Sequence, residues 1–172
     1  SKQLVASVLT NEPCILENVP RITEVDGVLA MLGELGTAFE WLDESTLLVQ
    51  TPDIEGDVVP LEYSGFNRIP ILMLGPLVHR AGSVTVPVVG GDDIGSRPID
   101  FHTAALRDMG VEIISDGNSY TARSSQINGT MIELPYPSVG ATENVLLTAT
   151  LAKGTTVIKN AAIEPEIIDT IL

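Results

Sequence analysis

Apolar residues along the chain follow two rhythms. Short, β-branched runs such as Cys14-Ile15-Leu16, Val84-Thr85-Val86 and Thr156-Val157-Ile158 predict strands. Longer apolar stretches at helical spacing precede each of them, over residues 2–9, 68–80 and 142–153. The last two close on Gly82 and Gly154, and a glycine just past the final basic residue suits a helix end. After each strand comes a polar or glycine-containing loop and then a helix beginning near an aspartate. In one copy Asp26 leads to Leu29, Leu32, Leu35 and Gly36; in another Asp100 leads to Leu106, Met109 and Gly110. Strand-like segments over 38–41 and 47–50, and over 111–114 and 119–122, flank the turns Asp43-Glu44-Ser45 and Asp116-Gly117-Asn118.

The pattern recurs with a period of about seventy residues. A third copy starts at Thr156, passes Glu164-Pro165-Glu166 and reaches Asp169, and its helix is expected to be missing because the sequence stops at Leu172. Three copies of a unit that alternates strands with helices and contains a hairpin predict an α/β (α+β) domain with pseudo-threefold symmetry, its helices packed against mixed sheets. One domain over residues 1–172 is the expectation for this length and for 44% hydrophobic content.

Composition removes several function classes. A net charge of −14 is unsuited to a nucleic-acid binder, which gathers lysine and arginine on one face. The longest apolar stretch, around 69–78, is broken by Pro70, Gly75 and Pro76 and is too short to span a membrane. Cys14 is the single cysteine, and with His79 and His102 as the two histidines neither a disulfide framework nor a structural zinc site is expected. The opening Ser1-Lys2-Gln3-Leu4 does not read as a secretory signal, so a reducing, cytoplasmic setting is expected.

Nine basic residues stand against that acidic background, and those lying in glycine-rich loops are candidates for holding an anionic small molecule. Three loop-to-helix junctions attract attention. Residues 87–102 pack Gly90, Gly91 and Gly95, the acids Asp92, Asp93 and Asp100, Arg97 and His102 between a strand and a helix. Glycines let backbone N–H groups approach a ligand, a helix start favours an anion and Arg97 offers a planar fork, so a phosphorylated ligand fits. Asp92 and Asp93 are candidates for proton transfer, their pKa values pulled up by a like charge or burial and down by Arg97. Equally compatible with these residues is Asp100 as a simple helix cap, His102 as a packed or solvent-facing helix residue and the acids as a solvated loop. The second junction is Pro137-Ser138-Val139-Gly140, where Ser138 offers a hydroxyl or merely caps a helix. The third is Ser64-Gly65-Phe66-Asn67-Arg68, which opens an irregular helix containing Pro70 and Pro76. One shared anion pocket is the inference.

Read together, residues 90–102 resemble the GGCxIGxRPVDxH loop of the UDP-N-acetylglucosamine enolpyruvyl transferases. Arg68-Ile69-Pro70, Leu74-Gly75-Pro76-Leu77, the run from Pro137 to Asn144, Asn160-Ala161-Ala162 and Glu164-Pro165-Glu166-Ile167-Ile168-Asp169 extend the resemblance over the whole chain. It implies an inside-out α/β barrel of repeated βαβαββ units. The implied reaction moves the enolpyruvyl group of phosphoenolpyruvate to the sugar 3-hydroxyl of UDP-N-acetylglucosamine, the opening step of peptidoglycan precursor synthesis, with no metal or organic cofactor. Arg68, Arg97, Pro98, Ile99, Asp100, Phe101, His102, Ser138 and Val139 would line the nucleotide-sugar site, and Arg97 would also face the phosphoenolpyruvate phosphate. Asp92 stands where most members carry a proton-donating cysteine, which implies insensitivity to fosfomycin. Gly65 and Tyr136 stand where relatives often carry lysine, and the resemblance would place the family's Lys-Asn pair just before Ser1. The resemblance further implies a second domain as partner, an isolated piece that is inactive by itself, and self-association through the face that domain would cover. Two alternatives are an enolpyruvyl transferase acting on 3-phosphoshikimate and a non-catalytic half that binds a nucleotide sugar or another chain.

Overall fold

The computed structural model describes residues 1–90 and 98–172. It is a mixed α/β arrangement. Helix α1 (Lys2–Ser7) leads into strand β1 (Cys14–Leu16), helix α2 (Thr23–Gly33) and the hairpin β2 (Ala38–Trp41) and β3 (Leu47–Gln50). Helices α3 (Ile69–Leu72) and α4 (Leu74–Ala81) follow, then β4 (Ser83–Pro87), α5 (Asp100–Asp108) and the hairpin β5 (Glu112–Ser115) and β6 (Ser119–Arg123). The chain continues through β7 (Met131–Glu133), α6 (Val139–Ala149), β8 (Val157–Lys159) and α7 (Pro165–Ile171).

Two antiparallel sheets share one plan. The first runs β1-β3-β2 and the second β4-β6-β5, so in each the strand before the helix pairs with the far arm of the hairpin. Local chemistry repeats as well. Gly36 and Gly110 take left-handed φ values of 93° and 94° after α2 and α5, and in both cases the next residue donates back across the helix end, Thr37 N–H to Leu32 O and Val111 N–H to Leu106 O, each at 3.0 Å. Each hairpin is turned by an aspartate whose Oδ1 accepts two successive backbone N–H groups, Ser45 and Thr46 at Asp43, Asn118 and Ser119 at Asp116. Those bonds hold both carboxyls below the usual carboxylate range. In the third sheet β7 and β8 pair in parallel across α6, and a parallel bridge between Val58 and Thr85 spans α3 and α4 in the same sense.

Two expectations needed correction, and one strand was not foreseen. The stretch 68–80 is not one helix: Met73 ends α3 and begins α4, because Pro70 and Pro76 supply no N–H and are tolerated where a first turn leaves donors unused. The third copy does have a helix, since α7 starts at Pro165, a residue whose fixed φ suits a first helical position. Strand β7 was not foreseen from its three residues. Asp100 occupies the first helical position of α5 and Ile99 the cap, without a side-chain cap bond.

The core is continuous, from Leu4 and Val5 of α1 through Leu29 and Leu32, Ile71, Leu74 and Leu77 to Leu106 and Val145. Helix α6 lies against α3, α4, α5 and α7. Its close approach to α4 depends on Gly75, where a Cβ would come within van der Waals collision of the Thr148 side chain. Polar groups are carried inside on this helix: Thr142, Glu143, Asn144 and Thr148 are all buried.

Candidate functional site

The loop 64–68 and the segment after β4 are laced together by their backbones. Gly65 N–H donates to Val88 O at 3.1 Å and Gly90 N–H donates to Asn67 O at 3.0 Å. Gly90 fits because it has no side chain, since a Cβ there would overlap the Gly65 backbone. Asn67 Oδ1 accepts from Ile69 N–H at 2.9 Å and so opens α3. Arg68 leaves this entrance and its Nη2 lies 3.4 Å from Pro98 O, which ties the first junction to the start of α5.

Opposite stands the start of α6. Ser138 is its N-cap, with Oγ accepting from Ala141 N–H at 3.3 Å, so the hydroxyl has a structural task there. Gly140 sits directly beside the His102 ring, where a Cβ would lie 3.2 Å from Cε1.

His102 is 5% exposed. Burial, helped by the positive charge of Arg68 and resisted by Asp100, lowers its pKa to about 4, so the ring is neutral at pH 7. Its Nδ1 lies 3.1 Å from Nδ2 of Asn144, whose amide also donates to Ile71 O at 3.1 Å.

These elements enclose one cleft of about 730 Å³. Arg68, Pro98, Phe101, His102, Ser138 and Val139 all line it, so the three junctions singled out in the sequence meet in one place. Ile99 packs toward the core and Asp100 is exposed, and neither lines the cleft. Asp92 and Arg97 lie outside the described residues.

Sequence reasoning missed Lys2, Glu24 and Glu143. Glu143 is 2% exposed, with Lys2 Nζ 3.4 Å from its Oε1 as an ion pair, and among the described residues that oxygen has no hydrogen-bond partner. Burial raises the Glu143 carboxyl above its ordinary value and the Lys2 charge only partly offsets this. The available signal was the acidic residue inside an apolar helical pattern at 143. Lys2 reaches the cleft from a segment distant in sequence, and nothing around it marks that role. Among the described residues no group of three or more His, Cys, Asp or Glu side chains could hold a metal ion, and no helix is long and apolar enough to cross a membrane.

A family model described as EPSP synthase (3-phosphoshikimate 1-carboxyvinyltransferase) matches residues 1–172. The chain belongs to this family. It is 47% identical over 175 residues to a UDP-N-acetylglucosamine 1-carboxyvinyltransferase of Chlamydia pneumoniae, covering 100% of this chain and 38% of that protein. To a Carboxydothermus hydrogenoformans protein named UDP-N-acetylglucosamine 1-carboxyvinyltransferase 1 it is 43% identical, covering 96% of this chain and 39% of the relative. The chain thus spans about two fifths of the length of the relatives it matches. Among solved structures it resembles the enolpyruvyl transferase NikO from Streptomyces tendae, with a TM-score of 0.83 at 18% identity over 99% of this chain and 40% of that one. An EPSP synthase from Acinetobacter baumannii gives a TM-score of 0.71 at 13% identity over 98% of this chain and 40% of that one. At these identities the two structures speak for the enolpyruvyl transferase family fold alone.

Proposed function

We propose that this chain forms one domain of an enzyme that transfers the enolpyruvyl group of phosphoenolpyruvate to the 3-hydroxyl of UDP-N-acetylglucosamine, releasing phosphate. The observation that carries the reading is the convergence of Arg68, Pro98, Phe101, His102, Ser138 and Val139 on one cleft. Relatives named for this reaction at 43–47% identity support it. The hydroxyl oxygen adds to C2 of phosphoenolpyruvate while C3 gains a proton, and the tetrahedral adduct then loses phosphate and a C3 proton to restore the double bond. Cations fixed beside the phosphate act by positioning and by electrostatic stabilisation. Arg68 lines the nucleotide-sugar part of the cleft, and Arg97 is assigned by resemblance to the phosphoenolpyruvate phosphate.

Asp92 takes the proton-donor position. A carboxyl group lacks a thiolate's reactivity toward an epoxide, so the enzyme is insensitive to fosfomycin. Mass spectrometry of the intact enzyme after fosfomycin treatment, expected to show no added mass at this loop, tests that assignment. The fold belongs to an inside-out α/β barrel of βαβαββ units, a reading supported by the shared order of the two antiparallel sheets and the matched glycines Gly36 and Gly110. A second domain completes the active site in this reading, and the cytoplasm, where peptidoglycan precursors are made, is the place of action.

Calorimetric titration of the chain with UDP-N-acetylglucosamine tests the assignment. Binding that Arg68→Ala weakens at least about tenfold, as expected for a lost charge-assisted contact, supports it. Heat from 3-phosphoshikimate and none from the nucleotide sugar would transfer the site to the other acceptor, which the family description names.

A further inference from the structure

We infer that Asn144 is a positioning residue whose side-chain amide fixes His102 as the neutral imidazole protonated on Nε2, presented to the cleft as an uncharged hydrogen-bond donor beside Gly140. The argument begins with the Ile71 carbonyl. A carbonyl oxygen only accepts, so the group 3.1 Å from it must be the nitrogen of the Asn144 amide and not its oxygen. The same nitrogen lies 3.1 Å from His102 Nδ1. An amide nitrogen has two hydrogens and no lone pair to offer, so with one hydrogen on Ile71 O the other goes to Nδ1. The ring nitrogen facing Asn144 is therefore the unprotonated one, and the neutral ring carries its proton on Nε2.

The surroundings keep the ring in this state. Asn144 is 0% exposed and sits on α6, which packs against both α3, the source of Ile71, and α5, the source of His102. Burial and Arg68 oppose a second proton and Asp100 favours one weakly; Lys2, Glu24 and Glu143 are the other charged side chains lining the cleft. Among the described residues no acceptor is hydrogen-bonded to Nε2, and Gly140 leaves room at that edge, since a Cβ there would lie 3.4 Å from Nε2. The cleft floor thus offers a neutral donor to a ligand oxygen, and the grip on negative charge is left to the cations. The identity of that ligand rests on the nucleotide-sugar reading, whereas the tautomer stands on the hydrogen bonds alone.

Long-range ¹H–¹⁵N correlation of the imidazole rings tests this directly, because His79 is the single other histidine and His79→Gln assigns it. The expected pattern for His102 is an unprotonated Nδ1 and a protonated Nε2 at pH 7, unchanged to about pH 5, more than one unit below the ordinary histidine pKa. Asn144→Asp, of nearly the same shape but with an acceptor facing the ring, is expected to move the proton to Nδ1 or to add a second one. Asn144→Leu is expected to give mixed tautomers. A wild-type His102 with its proton on Nδ1, or doubly protonated at pH 7, overturns the inference without any variant, as does an unaltered pattern in a folded Asn144→Asp protein. Adding UDP-N-acetylglucosamine separates the two readings. With the second domain supplied, the expected tautomer without binding keeps this inference and sinks the nucleotide-sugar assignment; binding with no shift at the Nε2 proton keeps the assignment and sinks the donor role.

Discussion

The sheet β1-β3-β2 with α2 and the sheet β4-β6-β5 with α5 are built to one plan and differ where chemistry would be placed. Between β1 and α2 the connection is residues 17–22, six in all; between β4 and α5 it is residues 88–99, twice as long. Helix α2 buries Val25, Val28, Leu29, Met31 and Leu32, all apolar, whereas α5 buries His102 and Thr103 among its inward residues. Both helices end in the same glycine turn and both hairpins use the same aspartate turn. The lesson is that two copies keeping the same strand order, glycine helix end and aspartate turn accept connections of different length and, in one of them, a buried imidazole.

The largest effect is expected from giving the longer loop a side chain. Gly90→Ala would place a Cβ on the Gly65 backbone, so the loop 64–68 and the segment after β4 must part. Forced overlap with backbone belongs with the severe core substitutions, about 3 kcal/mol or more. Denaturant unfolding should show that loss; full stability would mean the two segments are not locked together.

Next comes the imidazole that has no counterpart in α2. A histidine with its pKa lowered from 6.5 to about 4 stays neutral in the folded protein while the unfolded chain takes up a proton. Folding stability is therefore complete above pH 6.5 and falls as pH drops toward 4, by about 3 kcal/mol over that span. Glu143 works the other way, because a raised carboxyl pKa lets the folded state bind a proton first as pH falls. Comparing the wild type with His102→Gln removes the Glu143 contribution: the variant should lose less stability between pH 6.5 and pH 4. Parallel curves would show that the ring takes up its proton as readily in the fold as in the unfolded chain.

Much of this comparison could be read from the sequence. The ten-residue interval from Asp26 to Gly36 and from Asp100 to Gly110 located both helices, since glycine tolerates the positive φ that ends them. The three junctions were legible because each packs small residues against a helix start. The parts that stayed hidden are long-range. Lys2 and Glu143 are partners brought together only by packing of α1 and α6, and β7 is a strand only because β8 pairs with it. Asn144 reads locally as a polar helix residue; its meaning comes from Ile71 and His102, which lie on two other helices.

The two glycine turns themselves should differ. At Gly36 an added Cβ would meet Glu55 Cγ at 2.8 Å and Asp53 O at 2.9 Å, whereas at Gly110 the nearest atom is Gln126 O at 3.5 Å. Both positions carry the left-handed penalty of about 1–2 kcal/mol for a non-glycine residue. Gly36→Ala adds a steric cost to it, so its unfolding midpoint should fall further than that of Gly110→Ala. Equal losses would mean that the segment carrying Asp53 and Glu55 gives way.

The smallest expected effect is the most direct test of sameness. Asp43 and Asp116 each accept two backbone N–H groups on exposed turns, and both carboxyls are held below their ordinary value by those bonds. Their stabilisation is present above the ordinary carboxylate pKa and is lost as pH falls through the lowered one. Asp43→Ala and Asp116→Ala should therefore lower the melting temperature at pH 7 by similar, small amounts, and each should flatten the acid limb below pH 4 relative to wild type. A clear inequality would trace to Arg21, which donates to Asp43 O and Glu44 O and stacks 3.4 Å from the Trp41 ring centroid, bracing the first hairpin alone. Asp43→Ala in an Arg21→Ala background then separates the shared turn chemistry from that added brace.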